Sequence, residues 1–286
     1  MTTQTPANNS TLIASQVASL LVQPLEQAST FLAAGPQIID SAAPVRVPRI
    51  TSGATAAFTA AGAEIAQSNA SFDEVELLPS SLQALKVLTV LSNELIRQSV
   101  VGLEAVLRTR LVTDVANALD SALWSGAGTS NTIKGILAQS GIATGTLDLT
   151  DFDSILDGIS AAIANKVTPT HLVMTASSFN ALRKLKVGSD DNRYIIDPST
   201  VANGTAFQLA GLPVILTDNI PAVSTKNRVA IVDFSKVVVA RDVDAEVAVL
   251  DQTFGSSDSV GIRVVTRYDT ALLQSEAVTL LTEASS

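Results

Sequence analysis

Residues 94–137 read ELIRQSVVGLEAVLRTRLVTDVANALDSALWSGAGTSNTIKGIL. Within them Ile96, Val100, Leu103, Leu107, Leu111, Val115, Leu119 and Leu123 recur at three- and four-residue steps, the spacing that keeps apolar side chains on one face of an α-helix. Ser92 stands where the helix is expected to open, and Ser99 and Gly102 are places where its first turns would break. The period stops at Trp124, Ser125 and Gly126. From Ser92 to Ser125 such a helix would extend roughly 50 Å at about 1.5 Å per residue. A helix of that length in a chain of 286 residues is expected to serve as a beam on which other elements are laid.

Upstream, residues Ala14 to Ala34 place Val17, Leu20, Leu21, Leu25, Ala28 and Leu32 at helical steps, interrupted by Pro24, which predicts an amphipathic arm with a break. From Pro44 the pattern changes. VRVPRI (45–50) alternates apolar and polar residues, TSGATAAFTAAGAEIAQSN (51–69) is small and flexible, and FDEVELLP (72–79) reads as a returning strand. The tip around Gly53 to Gly62 has too few large side chains to form a core, so this long hairpin is expected to project and to find burial against another molecule. LQALKVLTVL (82–91) supplies a further strand.

Downstream, Thr150 or Asp151 is expected to cap a helix in DFDSILDGISAAIANKV (151–167), HLVMT (171–175) is a buried strand and SSFNALRKLK (177–186) a short helix. VGSDDNRYIIDPSTVANGT (187–205) reads as a polar loop. GLPVILT (211–217), NRVAIVDF (227–234), KVVVARDV (236–243), AEVAVLD (245–251), VGIRVVTRYD (260–269) and AVTLLT (277–282) are rich in Val and Ile, as pleated surfaces prefer. The expected fold class is α+β, with a mixed sheet and one dominant helix. No internal repeat, low-complexity tract or long charge run is present.

Composition narrows the function. Hydrophobic residues make up 47% of the chain and charged residues only 16%, a sparse charge cover for a lone globule and a natural one for a subunit that hides surface against its own copies. The net charge of −9 argues against a protein that grips phosphate backbones. The absence of cysteine removes disulfides, thiolate metal sites and Cys nucleophiles, and His171 is the only histidine. MTTQTPANNS lacks the basic start of a signal peptide, and no apolar run approaches the ~20 residues that span a bilayer. No cofactor, metal or catalytic residue is expected.

The order of elements (arm, long hairpin, strand, long helix with a Gly-rich exit, α/β module, returning strands) resembles the Hong Kong 97-type major capsid proteins of tailed bacteriophages. The stretches that carry the resemblance are VRVPRITSGATAAFTAAGAEI, the helix segment quoted first, HLVMTASSFNALRKLK, GLPVILTDNIP, VDFSKVVVARDVDAEVAVLD and GIRVVTRYDTALL. It implies an N-terminal arm at 1–44, an extended loop at 45–80, a peripheral domain with a spine helix at 81–140 and 238–270, and an axial domain at 141–237 and 271–286. It also implies a non-enzymatic subunit that forms hexamers and pentamers, assembles in the host bacterial cytoplasm and ends in the virion. Its partners would be other copies of itself, a portal, a scaffolding protein and a decoration protein. The shell would enclose double-stranded DNA without tight sequence-specific binding.

One variant of the family crosslinks its subunits through a lysine on the extended loop and an asparagine on another chain. Here no lysine precedes Lys86, and SDSVGIRVV, which resembles the acceptor region, has no asparagine. The resemblance therefore implies noncovalent stabilisation. Only about forty residues precede the hairpin at Pro44, so the resemblance implies either a separate scaffolding protein or a segment already removed by processing.

Other motifs have plainer readings. GAGTSNTIKG (126–135) has the glycines and lysine of a phosphate loop, but it follows a helix and lacks the GK[ST] ending, so a helix exit and turn is expected. Asp148, Asp151 and Asp153 lack a calcium-loop pattern and are read as helix capping. His171 begins an apolar strand with no G-x-S-x-G elbow in the chain, so a structural histidine is expected. Arg46 and Arg49 at the hairpin base, with Glu64, Asp73, Glu74 and Glu76 on its returning arm, are either ordinary strand charges or intersubunit contacts. Asp190, Asp191 and Arg193 in the polar loop are further candidate contacts. Two other readings remain: an encapsulin-type shell enclosing cargo enzymes, and, more remotely, an α/β enzyme using Asp or Ser chemistry.

Overall fold

The computed structural model describes residues 29–52, 58–59, 64, 67, 69, 71–92, 94, 103–188, 191–194, 207–242, 246–250, 252–254 and 257–284. The readings of the arm before residue 29, of most of the hairpin tip, of helix residues 95–102 and of Asp190 lie outside them. In chain order the elements are α1 (Thr30–Ala33), β1 (Gln37–Asp40), β2 (Val45–Ser52), β3 (Ser71–Leu77), β4 (Leu85–Ser92), α2 (Leu103–Ser125), β5 (Ala143–Leu147), α3 (Asp153–Ala164), β6 (His171–Met174), α4 (Ala176–Arg183), β7 (Lys186–Gly188), β8 (Asp191–Tyr194), β9 (Gln208–Leu209), β10 (Leu212–Leu216), β11 (Arg228–Val232), β12 (Val237–Arg241), β13 (Glu246–Leu250), β14 (Ser259–Thr266), β15 (Tyr268–Leu272) and β16 (Val278–Glu283).

The expected beam is α2, whose 23 residues measure about 35 Å. Leu111, Val115, Leu119 and Leu123 are buried along it, as their spacing requires. Ser92 precedes the helical Glu94 by two residues. It ends β4, where it pairs with Ser259 of β14, so a partner far along the chain sets the strand's limit. Beyond Ser125 the backbone doubles back: the Gly135 N–H donates to Gly126 O at 2.9 Å, and Ala127 bridges Lys134. A Cβ on Gly135 would fall 2.6 Å from the Trp124 carbonyl, so this close approach needs glycine.

The strands form a six-stranded mixed sheet in the order β5-β16-β11-β6-β10-β9, three-stranded sheets β1-β12-β15 and β13-β14-β4, and hairpins β2-β3 and β7-β8. In β6, Val173 joins one core while Leu172 and Met174 join the other. Both faces of the six-stranded sheet are therefore covered, which explains why HLVM and RVAIV read as continuous apolar runs. On one face α3 and α4 bury Ile155, Phe179 and Leu182. On the other lies the larger core, where the end of α2 meets α1, β12 and β15.

Three expectations need correction. VGIRVVTRYD is two strands in different sheets, parted at Arg267, whose Nη2 donates to Pro79 O at 2.6 Å and whose carbonyl accepts from the Asp242 N–H at 2.9 Å. The polar loop after α4 contains the β7-β8 pair. The N-cap of α3 is Phe152 and not Thr150 or Asp151; Asp151 Oδ1 instead accepts the Asp153 N–H at 3.1 Å, and Asp148 accepts from Thr150. β1 and β5 were not anticipated.

Candidate assembly surfaces

The β2-β3 hairpin is built from alternating residues, and its charges pair across it. Arg46 Nη1 lies 3.1 Å from Glu74 Oε1, and Arg49 Nη2 lies 2.7 Å from Asp73 Oδ2. Arg49 and the Glu74 N–H, both donating to Asp73, hold that carboxyl below the usual carboxylate range. Glu76 stands opposite Arg46 in the ladder, and Glu64 is exposed. Four of these charges therefore pair within the hairpin, Arg46 with Glu74 and Arg49 with Asp73. What the hairpin leaves open is apolar: Phe72 is 71% exposed and Phe58 is fully exposed.

At its base the hairpin is fastened. Leu77 and Leu78 are buried, and Leu78 takes a left-handed φ of 54°. Its N–H donates to Asp269 Oδ2 at 2.9 Å, while Asp269 Oδ1 accepts the Thr270 N–H at 2.9 Å. Burial pushes the Asp269 carboxyl up, against the opposing pull of those two N–H groups and of Arg267.

A second fastening holds the segment around α1 to α2. Asp120, buried on α2, accepts from the Ser29 hydroxyl, from the Thr30 N–H at 2.7 Å and from Thr30 Oγ1 at 2.6 Å. Above it Phe31 meets Trp124 edge-on at 4.8 Å between ring centroids, and Phe234 meets both rings at 5.7 and 5.9 Å. His171 closes the stack on Phe234 at 5.2 Å, and burial lowers its pKa. The geometry gives the only histidine a packing role. Sequence reasoning missed Asp120, Asp269 and Arg267. Asp120 did leave a signal, because Ala116, Asp120 and Trp124 form a second row at four-residue steps on the buried side of α2.

Of the other candidate contacts, Arg193 is exposed on β8 and Asp191 begins that strand. GAGTSNTIKG forms the turn after α2 described above. Among the described residues no group of three or more His, Asp and Glu side chains is placed to hold a metal ion. No described helix is long and apolar enough to cross a membrane.

The sequence model of the phage capsid family matches residues 9–282. The chain belongs to the phage capsid family. Solved structures of capsid proteins share its fold. The capsid of a native GTA particle is 21% identical, covers 90% of this chain and 91% of its own, and superposes with a TM-score of 0.73. The chain from Mycobacterium phage Adephagia is 16% identical, with 100% and 99% coverage and a TM-score of 0.71. The chain from Mycobacterium phage Bobi is 16% identical, with 90% and 91% coverage and a TM-score of 0.70. No curated protein sequence matches. The fold of this capsid-family chain is thus the Hong Kong 97-type fold that the order of its elements implied.

Proposed function

We propose that this chain is the major capsid protein of a tailed bacteriophage, a non-enzymatic subunit that self-assembles into an icosahedral shell around double-stranded DNA. The match to the phage capsid family over residues 9–282 carries the reading. The family and the neighbours named above favour it over an encapsulin shell. Copies would gather as hexamers and pentamers in the host bacterial cytoplasm, with a portal, a scaffolding protein and a decoration protein as partners, and would persist as the shell of the virion. Many modest contacts become cooperative when the shell closes.

In this reading residues 45–80 are the extended loop, whose exposed Phe58 and Phe72 find burial on a neighbouring subunit. Residues 81–140 and 238–270, with α2 as spine, form the peripheral domain, and 141–237 and 271–286 the axial domain. Arg46, Arg49, Glu64, Asp73, Glu74 and Glu76 set the register of the loop against that neighbour, while Asp190, Asp191 and Arg193 meet copies near a symmetry axis. A chain with no lysine before Lys86 is held together noncovalently. The test is negative-stain electron microscopy of the protein expressed alone and with its neighbouring genes. Closed shells of uniform diameter, dissolving to a single band on a denaturing gel, are expected. A persistent monomer in every co-expression would overturn the reading, and covalent ladders would overturn its noncovalent part.

A further inference from the structure

Between β5 and α3, at one edge of the six-stranded sheet, runs a groove of about 430 Å³. Its floor is low because Ala143, Gly145, Gly158 and Ala161 carry little or no side chain there. Asp148, Asp151, Asp153 and Asp157 line its rim, all exposed. Residues 143–164 contain these aspartates and no lysine or arginine, a local charge of −4. The hydroxyl and N–H of Thr150 hold the Asp148 carboxyl below the usual range, so it stays ionised.

The other end of the sheet is basic on balance: residues 176–194 carry Arg183, Lys184, Lys186 and Arg193 against Asp190 and Asp191, a net +2. Helix α4 leads from β6 toward the β10-β9 edge, where Phe179 meets the ring of Phe207, the residue before β9, at 5.2 Å between centroids. Residues 176–188 contain Arg183, Lys184 and Lys186 and no acid, a local charge of +3. Arg183 lies over the Phe179 ring at 5.6 Å and Lys186 over Tyr194 at 5.4 Å, which orders both cations.

We infer that the acidic groove of one copy receives the basic α4–β7 segment of the next, so that axial modules join head to tail. This rests on the capsid reading and names the surfaces that reading leaves open. The two surfaces sit toward opposite edges of one sheet and so meet only between copies. Pairing unlike patches gives a heterologous contact, the kind that closes into rings, whereas a two-fold contact would set each patch against its like.

The experiment compares four proteins by the concentration at which half the chain assembles, read by light scattering with electron microscopy of the products: the unmodified chain, Asp153→Lys with Asp157→Lys, Lys184→Glu with Lys186→Glu, and all four changes together. Each single-sided reversal is expected to raise that concentration about tenfold or more, and the combination to return it to within about threefold of the unmodified chain. Added salt should weaken assembly of the unmodified chain. All four positions are exposed; should a reversal lower the melting temperature, Asp157→Asn and Lys184→Gln give the same comparison with a smaller rise. Reversals that assemble like the unmodified chain, or a combination as defective as either side alone, would overturn the inference while leaving shells in view. Defects seen only when a scaffolding protein is present would overturn the second copy as occupant. An unmodified chain that never assembles would fail the capsid reading itself.

Discussion

Phe31, Trp124 and Phe234 come from distant parts of the chain and meet with 0–2% of their surfaces exposed, whereas Phe72 in the β2-β3 hairpin is 71% exposed beside a ladder of its own. Both regions contain aromatic and branched side chains, yet only the first completes its packing within one copy. The hairpin pairs its strands, sets Arg46 on Glu74 and Arg49 on Asp73, and leaves Phe72 uncovered. The difference separates what a single chain buries for itself from the apolar surface it leaves in the open. Burial at the junction contributes to folding, and on the reading proposed above the exposed hairpin rings contribute to association instead.

Trp124→Ala would break the comparison most severely. Emptying this site is expected to cost about 3–5 kcal/mol of stability in the unassembled chain, measured by urea unfolding. A cost under about 1.5 kcal/mol would mean that the junction is loosely packed and the contrast with the hairpin is false. Asp120→Ala comes next. It strands the Thr30 N–H in a part-buried site and removes the anchor of α1, for an expected loss of about 2–3 kcal/mol. Limited proteolysis near Ser29 should quicken in the same variant.

Asp269 holds the base of the hairpin through the Leu78 N–H, and its pKa gives a third test. Burial raises the folded value above the unfolded one, near 3.9. Ionised Asp269 therefore costs stability, a cost that is absent below the unfolded pKa and develops as pH rises through the folded one. Relative to Asp269→Asn, the unmodified chain should lose stability as pH rises above about 4. The opposite slope would show that the N–H donors of Leu78 and Thr270 outweigh burial. Phe72→Ala is the smallest effect on folding: a change within about 0.5 kcal/mol in the unassembled chain, with a clear fall in shell yield. A large folding defect would mean that the hairpin is already packed in the single copy.

The sequence made the repeating parts legible. Leu111, Val115, Leu119 and Leu123 reveal α2 through period alone, and VRVPR against FDEVEL reveals the hairpin through alternation. Features fixed by distant partners were not legible. The end of β4 depends on β14, and the break at Arg267 depends on Pro79 and Asp242. β5, with the sequence ATGTL, is too polar and glycine-rich to resemble a strand before β16 pairs with it. At the candidate site the hairpin charges were visible, but their closure onto one another was not, because Arg46 reaches Glu74 diagonally while facing Glu76 in the ladder.

The chain contains one tryptophan, and it occupies the meeting point of α1, α2 and Phe234. Its indole N–H points to Thr30 Oγ1 at 3.4 Å. Its fluorescence is therefore a built-in optical gauge of a single place: emission wavelength follows whether α1 stays seated, with no label and no second indole to blur the signal. Recorded while subunits gather, that colour would reveal whether assembly rearranges the junction or leaves it as it was in the lone chain.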